Sequence, residues 1–287
     1  MAGTPLAYAV LLHLTHYDPR WCKDKADEQR FDRALMEELI DLTAASGFNT
    51  VVIDIADAVE YATHPDLKRP YTVPMRELAD LAERARGHGL EVVGKLNFAK
   101  SERDRHNWWF RPYRDLPDDD AYFQHAWQVI DEVLQAVGPG RYFHIGMDED
   151  RIRPAENYCA VIERLHAGLT ERGRRVLMWS DACHQWDEQR DAALAAAWER
   201  LPRDIVLIPW AYRQAMPDVL RMHVEQGFEV WAGSARDIEV ARAWADAVRV
   251  EGGAGLIATC WQPTQPEQAD TWRRVITESA KAYGIAK

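Results

Sequence analysis

Two rhythms of apolar and polar positions alternate along the chain. Short, nearly continuous apolar runs occur at 6–14, 49–55, 90–98, 142–145, 175–180, 205–210, 228–232 and 255–260. Their length and β-branched content predict strands covered on both faces. Longer stretches between them carry apolar residues three and four apart. Phe31, Leu35, Leu39 and Leu42 share one helical face before Gly47, and Tyr158, Ile162, Leu165 and Leu169 share another before Gly173. Further helices are predicted over 75–88, ending at Gly89, over 119–137, closed by Gly138-Pro139-Gly140, and over 267–283. Eight strand–helix units in 287 residues predict an α/β fold, a closed (β/α)8 TIM barrel, as a single domain over 1–287. No GxGxxG or GxxxxGK follows the first strand, which argues against an open nucleotide-binding sheet.

Composition narrows the partners. A net charge of -11 is the wrong sign for a phosphate backbone, so no nucleic-acid partner is expected. No run approaches about 18 consecutive apolar residues, so no membrane span is expected. Residues 6–14 lack a basic leader and a small-residue cleavage site, and read as a strand rather than a signal peptide. Cys22, Cys159, Cys183 and Cys260 are dispersed and form no CxxC pair, which fits reduced thiols and a cytoplasmic setting.

Chemistry concentrates where the fourth strand stops, in RYFHIGMDED at 141–150. The C-terminal strand ends of such a barrel floor its active site, so Asp148, Glu149 and Asp150 are placed for proton chemistry. Asp150 reads equally well as the cap of the next helix. The other strand ends contribute His13, His16 and Tyr17, then Asp54 and Asp57, then Lys95 and Asn97, with His144 just before the acids. The later strands add Trp179, Asp181 and His184, then Trp210 and Tyr212, then Trp231, and last Trp261 and Gln262. Four of eight ends thus carry a tryptophan. A single one reads as a core cap, but four beside several acids suit a sugar, whose C–H faces stack on rings and whose hydroxyls need directed partners. The expected ligand is a small molecule or oligosaccharide, with no cofactor. The long connection 101–118 interleaves Trp108, Trp109, Phe110 and Tyr113 with arginines and is expected to close over the ligand.

HIGMDE at 144–149 resembles the HxGGDE signature of the family 20 glycoside hydrolases, the β-N-acetylhexosaminidases. The likeness extends loosely over most of the barrel. Phe48-Asn49-Thr50 with the apolar strand reaching Asp57 is similar to that family's second strand, and Tyr71-Thr72 leading to GLEVVGKLN at 89–97 to its approach to the third. VLMWSD at 176–181 resembles its fifth strand with a pocket tryptophan, and 258–261 its eighth with another. The resemblance implies a retaining reaction without an enzymic nucleophile, in which the 2-acetamido oxygen of the substrate attacks the anomeric carbon. It implies Glu149 as general acid/base and Asp148 as the group that orients the acetamido, supported by Asp57 and His144. Repulsion between adjacent carboxylates favours a proton on one of them. His16, Asn97, Trp179, Asp181, Trp210, Tyr212, Trp231 and Trp261 complete the expected substrate site.

Departures from the pattern are specific. Met147 replaces the second glycine, something like His16 replaces a first-strand arginine, and Ala99-Lys100-Ser101 stands for the PGH ending of the third strand. No YLD tyrosine follows the seventh strand, and Gln262-Pro263 follows Trp261 where the family has a glutamate soon after. Altered substrate choice is expected. Two other readings stay open: a barrel that binds carbohydrate without cleaving it, and a metal-dependent sugar isomerase using His144, Asp148, Glu149, Asp181 and His184 as ligands.

Overall fold

The computed structural model describes residues 6–15, 27–101, 108–180 and 198–286. Eight parallel strands close into a barrel in chain order: β1 (Ala7–His13), β2 (Thr50–Asp54), β3 (Glu91–Lys95), β4 (Tyr142–His144), β5 (Arg175–Ser180), β6 (Val206–Pro209), β7 (Glu229–Ser234) and β8 (Gly255–Ala258). Seven helices surround it among the described residues: α1 (Arg33–Ala45), α2 (Met75–Gly87), α3 (Asp120–Val137), α4 (Ala155–Glu171), α5 (Pro217–Glu225), α6 (Ile238–Glu251) and α7 (Ala269–Tyr283). Residues with side chains on alternate sides of each strand divide the apolar interior in two. Leu11, Val52, Val93, Leu177 and Ile257 fill the barrel, while Val10, Val51, Val92, Phe143 and Val176 face the helices.

The expected closed barrel of eight strands is observed, six of them a residue or more shorter than the apolar runs, while β5 matches its run and β7 continues two residues past it. β3 ends at Lys95 and β4 at His144, although Leu96 and Phe98 still donate backbone hydrogen bonds to His144 and Ile145. The sheet therefore opens into loops while its edges remain tied. Helix starts follow local chemistry. Asp32 and Asp119 accept N-cap hydrogen bonds from Leu35 (2.7 Å) and Ala121 (3.0 Å), satisfying amides that have no helical partner. Asp150 does not cap α4, which begins at Ala155 behind Pro154.

One interior glycine is required by close packing near the C-terminal end of the barrel. A Cβ at Gly233 would lie 2.9 Å from the Trp210 Cβ and 3.2 Å from the Trp179 ring. A bare backbone on β7 leaves room for the Trp179 ring and for the backbone-proximal end of Trp210.

Candidate active site

The turn after β4 is built on left-handed backbone. Gly146, Met147 and Glu149 have φ of 72°, 70° and 55°. Gly146 is required twice over, because a Cβ there would fall 2.4 Å from the Asn97 side chain and 2.6 Å from its Cα. Met147 adopts the glycine-like conformation at a cost of roughly 1 kcal/mol. Its thioether is fully buried in the barrel–helix layer, away from the mouth, and Tyr158 of α4 donates to its carbonyl at 2.9 Å. Burial and that hydrogen bond offset the strain. The four non-glycine residues with positive φ among the described residues are Ala56, Met147, Glu149 and Trp261, and all follow C-terminal strand ends. Strain collected on one face makes that face the candidate site.

Asp148 is oriented by Asn97. The Asn97 Oδ1 accepts from the backbone of Ala99 (3.0 Å) and Met147 (3.2 Å), so its amide nitrogen faces Asp148 and donates to Oδ1 at 2.6 Å. Trp109 backs this arrangement by donating to the Asn97 carbonyl at 3.0 Å. Asp148 is buried to 6% exposure, and Glu149 follows it with its carboxylate 4.0 Å from Arg151. Asp150 turns the other way. It is fully buried and accepts from the backbone of Lys100 (2.9 Å) and Arg153 (3.0 Å) and from the Arg153 guanidinium (2.5 Å). Arg153 also grips Asp118 through two 2.8 Å hydrogen bonds, and Lys100 reaches Asp118 at 2.9 Å. This network clamps the β3 and β4 loops together, so the three acids divide into a structural one and an outward-facing pair.

Near the acids lies an aromatic cluster in which Trp210, Tyr212 and Trp261 are half-buried and Trp179, 1% exposed, forms the floor beneath them. Trp179 lies against His144 with ring centroids 4.9 Å apart and 6.0 Å from Trp261, and Trp210 stacks on Tyr212 at 4.9 Å. The Trp261 indole donates to the Tyr212 hydroxyl at 2.7 Å. Burial raises the Tyr212 phenol far above its ordinary range, and the charges of Asp148 and Glu149 push the same way, so this hydroxyl stays protonated beside the acid pair. His144 is fully buried; its Nδ1 accepts from the Gly146 amide at 3.0 Å, and burial and then Lys95 hold its pKa well below 6.5. It is a neutral imidazole with its proton on Nε2.

Several expected site residues lie elsewhere. Trp231 is sealed inside the barrel, in register with Gly255, its ring on Tyr142 and its indole donating to Glu229 at 3.2 Å near the N-terminal end. It plugs the core. Asp57 is fully buried in the β2 loop, with Arg69 3.5 Å away and Tyr71 beside it, and it shapes that loop rather than lining the mouth. Trp109 and Phe110, expected in a closing segment, are 1% exposed and pack on Phe98. His16, Asp181 and His184 lie outside the described residues, as do Cys22 and Cys183. No three His, Cys, Asp or Glu converge as metal ligands among the described residues, and none of their helices is long and apolar enough to cross a membrane.

The sequence matches no protein-family model and no curated protein. Its backbone does match solved structures. It superposes on the β-N-acetylhexosaminidase of Streptomyces coelicolor A3(2) with a TM-score of 0.72, 16% identity, and coverage of 98% of this chain and 64% of that one. The fold is that of a family 20 glycoside hydrolase. Dispersin B gives a TM-score of 0.65 at 14% identity over 98% of this chain and 99% of that one. The exo-β-N-acetylglucosaminidase of Vibrio harveyi, solved with N-acetylglucosamine, gives 0.64 at 14% identity over 96% and 54%. The chain thus spans less than two thirds of the Streptomyces enzyme and the whole length of dispersin B. This family 20 fold holds its acids on the β4 loop, with the aromatic cluster on the loops and strand ends of β5, β6 and β8.

Proposed function

We propose that the chain is a divergent glycoside hydrolase that cleaves a 2-acetamido sugar by substrate assistance. The supporting observation is the pairing of Asp148, held by Asn97 and close enough to Tyr212 for its charge to act on that phenol, with Glu149 directly after it and Trp261 bonded to Tyr212. In this reading the sugar stacks its C–H face on the indoles and Asp148 accepts the acetamido N–H. That hydrogen bond turns the acetamido carbonyl oxygen toward the anomeric carbon. As the C1–O bond to the leaving group breaks, the carbonyl oxygen bonds to C1 and Glu149 gives its proton to the departing oxygen. Charge then spreads over the five-membered oxazolinium ring, where ionised Asp148 stabilises it. Glu149 next takes a proton from water, which adds to C1, and the acetamido group is restored with retained configuration. The Tyr212 hydroxyl accepts from Trp261 and keeps its proton, so in this reading it is free to serve as a donor to the sugar.

A binding-only barrel is the second reading. It is favoured by Lys100 and Ser101, which occupy the place of the supporting histidine and are tied into the Asp150 network or buried. Release of chromophore from aryl 2-acetamido-2-deoxy-β-glucoside and β-galactoside separates the two. Wild-type turnover lost in Glu149→Gln supports the hydrolase; equal sugar binding by both proteins with no turnover supports the binding barrel.

A further inference from the structure

The last inward positions of the first four strands form one polar row. His13 pairs in register with Asp54, Asp54 with Lys95, and Lys95 with His144. Each stands two residues beyond an inward apolar or aromatic side chain, Leu11, Val52, Val93 or Tyr142, so the row caps the interior plug. Lys95 donates to the Asp54 Oδ2 at 2.7 Å, and the His13 Nδ1 lies 3.3 Å from the same oxygen. A buried ion pair of this kind is commonly no more stabilising than apolar residues of the same volume, and the layers just below it are apolar. A stability role alone leaves the charges unexplained.

Exposure separates the three groups. The Asp54 side chain is 13% accessible, while Lys95 is 3% and His13 0%. An inward residue above a sealed plug can be reached only through the mouth. Both close contacts fall on Oδ2, and Oδ1 takes no hydrogen bond from the described residues. The row also abuts the aromatic cluster at both ends, His144 against Trp179 and His13 against Trp261 at 5.1 Å.

We propose that Asp54 is a specificity-determining carboxylate that accepts a hydrogen bond from one ring hydroxyl of the sugar, with Lys95 and His13 as positioning residues behind it. This rests on the sugar-site reading of the same mouth. The pair is electrically neutral, and only its acid half is accessible. The preferred sugar therefore carries a free hydroxyl at that edge, and a sulfate or carboxylate there is rejected by repulsion.

The test measures binding of N-acetylglucosamine and its 3-, 4- and 6-deoxy analogues by calorimetry, and turnover of the corresponding aryl glycosides. The proteins are wild type, Asp54→Asn and the charge-free double variant Asp54→Asn/Lys95→Met, with melting curves to confirm folding. Wild type is expected to bind one deoxy analogue about 10- to 100-fold more weakly than the parent, the size of a hydrogen bond to a charged group. The folded variants are expected to narrow that difference to under about 10-fold, because the amide keeps only a neutral hydrogen bond to the hydroxyl. Discrimination unchanged in both variants overturns the proposal while leaving hydrolysis intact. Discrimination narrowed without any turnover in wild type upholds it and overturns the hydrolase. A wild-type protein that binds none of the sugars overturns both.

Discussion

Asn97 bears on the acid pair more than any other single neighbour, because its amide oxygen is committed to two backbone donors and only its nitrogen remains for Asp148. Asn97→Ala leaves those amides without an acceptor and is expected to destabilise the fold by about 3 kcal/mol or more and to reduce turnover beyond what destabilisation explains. Denaturant unfolding beside kcat on aryl glycosides checks both. Met147 sets two effects in opposition. Met147→Gly relieves about 1 kcal/mol of left-handed strain but empties a buried thioether site worth roughly 2 to 4 kcal/mol. A net loss of stability is expected, and a variant more stable than wild type would show that strain outweighs packing here. Tyr212→Phe removes the acceptor of the Trp261 indole, so a cost near 1 kcal/mol and a fall in kcat are expected from the same measurements.

At the scale of elements, the site depends on how closely strands and loops approach. Gly146→Ala forces a Cβ against the Asn97 backbone at a position whose φ is already left-handed. An unfolding penalty above about 3 kcal/mol is expected, against roughly 1 to 2 kcal/mol for Gly173→Ala, where φ is 69° but no atom lies within 4 Å. Equal penalties would mean that backbone conformation alone is at stake. The clamp of Asp150, Arg153, Asp118 and Lys100 couples the β3 and β4 loops. Arg153→Met leaves the fully buried Asp150 with backbone donors but no counter-charge, and Asp118 with Lys100 alone, so destabilisation of roughly 3 kcal/mol is expected by chemical unfolding.

Across the whole molecule, buried imidazoles make stability depend on acid, His64 among them, its pKa lowered by burial and then by His125. Burial lowers the pKa of His13 and His144, and brings that of His223, hydrogen-bonded to Ser180 at 2.8 Å, down to about 4. The unfolded chain binds protons near pH 6.5 that the folded chain refuses, so stability is complete above that pH and is lost as pH falls. For His223 the loss runs from about 6.5 to about 4 and amounts to roughly 3 kcal/mol. Melting temperatures are expected to drop steadily between pH 7 and 4.5, and His223→Asn to shrink that drop; an unchanged slope would remove His223 from the account.

The eight buried strands and the helical faces between them were legible in the chain, because burial on both sides imposes apolar runs and burial on one side imposes a 3.6-residue period. The end of the fourth strand was legible too, since a barrel presents its strand ends at one face. Three-dimensional closure decided the rest. Asp148, Glu149 and Asp150 are indistinguishable as letters, yet only the turn geometry sends Asp150 inward to Arg153 and leaves the other two at the mouth. Trp231 and Trp179 are both buried strand tryptophans, and register alone places one at the N-terminal end of the plug and the other at its C-terminal end. The row of His13, Asp54, Lys95 and His144 joins residues as far as 131 positions apart through lateral pairing. Periodicity along a strand says which face a side chain takes, whereas its neighbours across the barrel are set by the register of strands distant in sequence.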